Sequence, residues 1–545
     1  MTFAVSPAEE RSQSTTKVGA RPAARKPLRR RLTTLGAVLA VSATLAACSF
    51  GSDGSDAVQK TVEPTPSASP IPAGLESYYD QKLVWGNCDS SIEATKESTC
   101  ATFKVPKNYA NPSEGDLSIT AVKYVKSGVK PSGDIYTNPG GPGGSAVDFV
   151  AENASHVFTQ EILDKFAIVG MDNRGTRHST PIECITPQEM DALLSENTQD
   201  VLTEAGLAHE RQRMADMGKK CLEKSDTIKW VDTVSAARDL DVLRHLNGNN
   251  KLDYLGFSYG TFFGATYAEL FPKNVGHMVL DGALDPSLNY DQVAEAQMVG
   301  FEKSLVHFAD ECNDGNPNCF LGRGEDGAKQ IMAFVRALHQ KPLRTGDPKR
   351  PLTENLAITA IMGSMYNQQW FPILTQGLEN AMLKGNGQIL LSMADQMNDR
   401  LDDGTYKGNS KESFFAVNAL DYPIEGDMDT WQKQAKELLE KHPILGEQFM
   451  LGDALRQDWP VKPVGKRGPI KAEGAPPILV IGTTGDPATP LSMAQSLAEQ
   501  LDKGVLLTVK GWNHTAYNSN ANECVTQTVD DIFLKDQMPK QNKYC

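Results

Sequence analysis

The sequence predicts an α/β protein: a mostly parallel sheet with helices on both faces, interrupted by a helical insert. Three observations carry this. From about residue 117 onward, short apolar runs alternate with stretches of helical periodicity, as strands do when crossover helices join them. A helix-rich stretch from about 286 to 470 then breaks the rhythm and separates strands that belong to one sheet. Finally, the run Leu252–Phe257 passes directly into Ser258-Tyr259-Gly260 and a helical pattern, so a strand turns sharply into a helix.

The N-terminus stands apart by charge. Residues 1–47 carry eight basic and two acidic residues, a net of +6, although the whole chain has a formal net charge of −14. The remainder is therefore at −20. Arg29-Arg30-Arg31 precede an uncharged stretch from Leu32 to Ala47, shorter than the roughly 20 residues a bilayer-spanning helix needs. A basic segment, an apolar segment and small residues before a cut describe a secretory signal. Leu45-Ala46-Ala47-Cys48 also resembles the bacterial lipobox, in which the Cys becomes the lipidated first residue. Residues 1–47 are thus expected to be a lipoprotein signal peptide and Cys48 the lipidation site, with an ordinary secretory signal as the alternative. Either the general or the twin-arginine export route fits.

Residues 48–75 are rich in Ser, Pro, Gly and Asp and read as a flexible tether. No other run of 18 or more apolar residues occurs. Membrane contact is therefore expected through the N-terminal lipid only, with the protein exported to the outer side of the cell membrane. Nine cysteines are present. Setting Cys48 aside leaves eight, an even number suited to an oxidising compartment. Pairing nearest neighbours gives Cys88 with Cys100, Cys184 with Cys221, Cys312 with Cys319 and Cys524 with Cys545. No clustered His or C-x-x-C pair suggests a metal. The acidic balance and a pI near 5.2 argue against nucleic acid as a partner. Nothing in the pattern specifies an oligomer.

Along the rest of the chain, Leu117–Val125, Asp134–Thr137 and Ala167–Met171 read as strands, and Asp232–Leu246 as a helix. Leu252–Phe257 is a strand and the residues to about Phe271 a helix. Met278–Leu280, Ile478–Ile481 and Val505–Val509 read as further strands, with helices at Leu491–Leu501 and Cys524–Leu534. The insert shows helical stretches such as Ala328–His339, Leu356–Met365 and Met428–Lys441. The organisation expected is a core at 76–285, a helical cap at 286–470, and a second core segment at 471–545.

The chemistry begins at Gly256-Phe257-Ser258-Tyr259-Gly260, which fits G-x-S-x-G. In that turn a serine sits between strand and helix so that its hydroxyl projects above the sheet. A hydroxyl is a weak nucleophile and needs a base, and the base needs an orienting carboxylate. His514 follows the strand Val505–Val509 and is the only His in the last hundred residues. His277, His307, His339 and His442 lie in or beside helices and strands and suit surface or packing roles. Asp486 follows the strand Ile478–Ile481, with Pro487 and Pro490 stiffening its loop. Asp502 competes but lies near a helix end. Asn138-Pro139-Gly140-Gly141-Pro142-Gly143-Gly144-Ser145 follows another strand. It can expose backbone N–H groups to an oxyanion, with Gly141, Gly140 and Tyr259 as the donors. No phosphate-binding spacing accompanies it.

Together these motifs resemble the prolyl-aminopeptidase and tripeptidyl-aminopeptidase group of α/β-hydrolases, particularly exported actinobacterial members with a tripeptidyl-peptidase-like C-terminal region. The matching pieces are residues 138–145, 171–179, 256–261, 281–286, 482–490 and 512–515. The resemblance implies an α/β-hydrolase fold with an inserted helical cap. It implies Ser258 as nucleophile, Asp486 as acid, His514 as base, and Arg174 in a structural D-x-R-G turn. Asn513 stands where relatives have Gly, Arg177 stands where the pattern has Gly, and Asp458-Trp459-Pro460 lacks the Cys that accompanies the family's Trp-Pro element.

The function expected is a cell-envelope serine hydrolase that releases short peptides from free N-termini without metal or organic cofactor. The substrate choice comes from the resemblance. Two alternatives are an esterase acting on envelope lipids or acylated proteins, and a non-enzymatic envelope-binding lipoprotein.

Overall fold

The computed structural model describes residues 70–198, 200–315 and 319–545. The signal, Cys48 and the tether to residue 69 lie outside the described residues. The chain forms a nine-stranded sheet: β1 (Ser98–Pro106), β2 (Asp116–Tyr124), β3 (Gly133–Asn138), β4 (Phe166–Met171), β5 (Leu252–Phe257), β6 (Val275–Asp281), β7 (Ile478–Thr483), β8 (Gly504–Val509) and β9 (Lys543–Tyr544). Their order across the sheet is β1-β2-β4-β3-β5-β6-β7-β8-β9. β2 runs antiparallel to β1 and β4, and the remaining pairs are parallel. This is the α/β-hydrolase architecture that the sequence leads one to expect.

The strands read as continuous apolar runs because both faces are covered. Tyr136, Tyr254, Leu280 and Val480 point into one core, beside the helices Thr233–Leu246, Tyr259–Leu270 and Leu491–Gln500. Ile135, Leu255, Val279, Leu479 and Ile481 alternate with them and fill the opposite core, beside Ala146–Val157 and Glu523–Lys535. Side-chain caps start several of these helices. Ser145, Asp232 and Asn522 each accept the N–H three residues on, which satisfies an otherwise orphan donor.

Register puts the site at one edge. Asn138 pairs with Gly256, Phe257 with Asp281, Asp281 with Ile481, and Thr483 with Val509. The C-terminal ends of β3, β5, β6, β7 and β8 are therefore level, and the loops leaving them converge. That edge is where open α/β sheets gather ligands.

Between β6 and β7 the chain is helical, from Tyr290–Gly315 to Met428–Lys441. These helices carry an apolar core of their own, including Phe301, Phe308, Ile331, Val335, Leu374 and Leu390. Helices Pro187–Ser195 and Glu204–Lys224 add a further layer before β5. There Gly218 admits Trp459 and Pro460, since a Cβ at 218 would lie 2.5 Å from the Pro460 ring. Disulfides join Cys88–Cys100, Cys184–Cys221, Cys312–Cys319 and Cys524–Cys545. No helix among the described residues is long and apolar enough to cross a membrane.

Arg174 anchors the turn after β4. It is fully buried and pairs with Asp239 through two short bonds, Nε–Oδ2 2.7 Å and Nη2–Oδ1 2.6 Å. Its other donors reach the carbonyls of Pro106, Lys107 and Trp230, and Tyr109 donates to Asp239 at 2.7 Å. Removing one partner leaves a buried charge uncompensated. Arg174→Met is expected to destabilise the fold by about 3–5 kcal/mol, read as a lower midpoint in urea unfolding with the slope unchanged.

Candidate active site

Ser258 links β5 to the helix Tyr259–Leu270 with φ 55° and ψ −124°. A non-glycine residue at positive φ is uncommon and marks a constrained turn. Gly256 makes the turn possible, because a Cβ there would lie 2.4 Å from the Gly260 carbonyl oxygen. Ser258 is buried, and its Oγ has no hydrogen-bond partner among the described residues. Its N–H donates to the Asp281 main-chain oxygen at 2.9 Å.

Asp486 leaves β7 into a buried turn. Its carboxylate accepts the N–H of Ala488 (2.9 Å), Thr489 (2.8 Å) and Thr515 (3.1 Å), and the Thr489 hydroxyl (3.0 Å). His514 Nδ1 lies 2.9 Å and 3.0 Å from its two oxygens. With Nδ1–H donated to Asp486, Nε2 is the nitrogen left to take a proton, and it is buried without a partner among the described residues. The structure thus brings the acid and the imidazole together. Among the described residues, Ser258 Oγ and His514 Nε2 both remain without a hydrogen-bond partner. The insert holds the imidazole from outside: His514 N–H donates to the Tyr366 carbonyl at 2.8 Å, and the Tyr366 ring meets the imidazole edge-on at 5.1 Å.

The Gly-rich loop lies against Ser258. A Cβ at Gly140 (φ +103°) would sit 2.8 Å from the Phe257 carbonyl, 2.9 Å from Ser258 Cβ and 3.3 Å from Tyr259 N. Only glycine fits that approach. The expectation that Gly140 donates to an oxyanion needs correcting, because its N–H already donates to Asn138 Oδ1 at 2.9 Å. The N–H groups of Gly141 and Tyr259 have no such partner among the described residues. Tyr259 N is also the first donor of a helix, where the dipole favours negative charge.

Asp502, the competing acid, is exposed just before β8, at the opposite end of that strand from His514. His277 lies between Asp253 and Asp536, His339 faces Glu354 at 2.8 Å, and His442 faces Glu302 at 3.5 Å. His307 stacks on Trp512 at 3.9 Å. Arg177 takes a left-handed conformation, φ 43°, at a position where the family pattern has Gly. Its N–H donates to Asn409 and its Nε to Asp148.

Sequence reasoning assigned no role to three supporting residues. Asp172, at the end of β4, accepts from Ser145 Oγ, Val147 N and His178 N at 2.8–3.0 Å and so fixes the far end of the Gly-rich loop. Asp281 accepts from Ala516 and Tyr517 in the loop that carries His514. Thr489 bridges Asp486 and His514. The signal available was position, since each Asp stands at the end of a strand inside a quoted motif.

Residues 135–316 match the family model described as alpha/beta hydrolase fold, and residues 442–545 match the one described as TAP-like protein. The chain is 33% identical over 473 residues to carboxylesterase B of Mycobacterium tuberculosis, covering 85% of this chain and 89% of that protein. It is 32% identical over 485 residues to serine protease Hip1 of the same organism, covering 85% and 91%. It is 27% identical over 475 residues to a tripeptidyl aminopeptidase of Streptomyces lividans, covering 85% and 86%. The chain belongs to the α/β-hydrolase family, in its TAP-like branch, and is a serine hydrolase.

Burial raises Asp172 and Asp281 to about 6, and raises Asp421, a buried carboxyl that accepts from the Thr233 N–H and hydroxyl, to about 7. An unfolded Asp titrates near 3.9. The folded state therefore binds these protons more tightly, and stability rises as pH falls through the folded values toward about 5. The melting temperature at pH 5.5 is expected to exceed that at pH 7.5 by about 2–5 °C, measured by scanning calorimetry. Asp421→Asn should flatten the dependence.

Proposed function

We propose that this serine hydrolase is a lipid-anchored peptidase of the cell envelope that releases short peptides from free N-termini. One observation carries the chemistry: a buried Asp486–His514 pair with Nε2 free, at the sheet edge that also holds the unengaged Ser258 hydroxyl.

In this mechanism Nε2 of His514 removes the hydroxyl proton as Ser258 Oγ attacks the scissile carbonyl. Asp486 holds the tautomer with Nδ1–H and stabilises the imidazolium. The N–H groups of Gly141 and Tyr259 receive the negative charge on the tetrahedral oxygen. Each such donor is typically worth about 3–4 kcal/mol in the transition state. The imidazolium then protonates the leaving amine, and water, deprotonated by His514, releases the acyl group from Ser258.

Similarity to the tripeptidyl aminopeptidase and to the serine protease supports a peptide substrate. The acidic character of the chain after residue 47 suits a cationic amino terminus. A second reading, an esterase, is favoured by the 33% identity to carboxylesterase B. The envelope location rests on the basic and apolar N-terminal segments and on Leu45-Ala46-Ala47-Cys48.

A fluorophosphonate probe is expected to label the wild type and not Ser258→Ala, while Asp486→Asn lowers kcat on the order of 10³–10⁴-fold. Hydrolysis of tripeptidyl coumarinamides with a free N-terminus should exceed that of N-blocked peptides and long acyl esters. The reverse preference would establish the esterase reading. Cys48→Ala should move the protein from the detergent phase to the aqueous phase in Triton X-114 partitioning.

A further inference from the structure

β6 ends at Asp281, between the strand that carries Ser258 and the strand that carries Asp486. Its main-chain oxygen accepts the Ser258 N–H, and the next residue, Gly282, donates its N–H to Ile481 on β7 at 3.0 Å. The carboxylate reaches the third loop. It accepts the Ala516 N–H at 3.0 and 2.9 Å and the Tyr517 N–H at 2.7 Å. These residues follow His514 by two and three positions.

Asp486 meanwhile takes the Thr515 N–H and the imidazole Nδ1. Two carboxylates from neighbouring strands therefore bind three successive N–H groups directly behind the base. The imidazole lies over the same hub, since a Cβ at Gly282 would be 3.4 Å from His514 Cε1. Gly282 and Asp281 leave little room for the loop to shift.

We propose that Asp281 is a second orienting carboxylate: it positions His514 by binding the backbone just beyond it, and its charge adds to that of Asp486 in stabilising the imidazolium. This rests on the reading of His514 as the base. The proton taken from Ser258 Oγ during attack goes to Nε2 and stays there until the leaving group takes it, and Asp281 accepts none of it.

Two features separate this role from ordinary loop architecture. Asp281 is fully buried, where a carboxylate is costly unless paired, yet a neutral amide or hydroxyl oxygen would serve equally well to accept two N–H groups. Its environment also couples it to the catalytic pair. Burial and, behind the backbone bonds, the Asp486 charge act on it, while His514 pulls it the other way. The titratable groups about it are Asp486 on the loop after β7, and His514 and Tyr517 on the loop after β8. Asp530 lies behind Tyr517 on the helix Glu523–Lys535, bonded to its hydroxyl at 2.8 Å.

The test is the rate of fluorophosphonate inactivation against pH, which needs no knowledge of the natural substrate. Asp281→Asn keeps an acceptor and removes the charge, whereas Asp281→Ala removes both. The Asn variant is expected to move the acid limb down by about half a pH unit or more and to lower the plateau about tenfold, with the Ala variant lower still. A folded Asn variant whose acid limb does not move, whatever its plateau, would overturn the proposal. A wild type that the probe does not label would sink the base assignment itself, a failure distinct from an unmoved limb.

Discussion

A carboxylate with no exposed side-chain surface, Asp486, is the constraint on which the rest of the site depends. Taking such a group out of water costs several kcal/mol unless its lone pairs are filled. Here five donors fill them, from its own turn at 488–489 and from the loop at 514–515. The two loops can only be buried together. Once they are, the Asp486 contact fixes the imidazole with Nδ1 inward and Nε2 outward. The sheet register then decides what Nε2 faces. β5 ends level with β6, β6 with β7, and β7 with β8, so the Ser258 turn and the His514 loop emerge at one edge.

The nucleophile side obeys a different constraint, steric rather than electrostatic. Gly140 lies so close to Ser258 Cβ and Tyr259 N that no side chain fits, and Gly256 lets strand and helix fold back on each other. Asp172 locks the other end of the loop by accepting from Ser145 and Val147. The helical insert closes both sides. Tyr366 meets the His514 loop, and the helix Ser410–Asp421 meets the Gly-rich loop, where a Cβ on Gly143 would lie 2.5 Å from the Ser410 carbonyl. Ser258 Oγ and His514 Nε2 are buried in consequence, and donors aimed at a reacting carbonyl act there in a low dielectric.

The fold was legible because buried parallel strands leave a strong mark: β4 to β8 are mostly apolar and flanked by turns, whereas β3 shows only Ile135 and Tyr136 between polar residues. β1 was less so. Ser98–Pro106 alternates buried and exposed residues and carries Thr, Cys and Lys, as an edge strand does. β9 is two residues long and is held by Cys545 through its main chain. In the site, Ser258, Asp486 and His514 could be read because each is a chemically distinctive residue at the end of a strand. Gly140 was misread as a donor because a Gly-rich run shows which residues can approach a ligand but not which N–H is already taken. The Asn138 side chain decides that. Asp172 and Asp281 escaped assignment because their partners are backbone N–H groups, which every sequence possesses and none displays.

The placement of these acids bears on the substrate. Asp172, Asp281 and Asp486 end β4, β6 and β7, on both sides of the strand that carries the nucleophile. Burial raises the first two to about 6, so both are largely ionised at neutral pH. Asp281 and Asp486 face the His514 loop, and Asp172 faces the Gly-rich loop through Ser145 and Val147. The chain from Cys48 onward also carries a net −20. Such a field draws in a cation and repels an anion. A peptide with a free ammonium group gains on approach, an uncharged acyl ester gains nothing, and a free fatty acid or an acidic peptide loses. A surplus of negative charge therefore lends the proposed aminopeptidase reading an electrostatic support that does not depend on any relative.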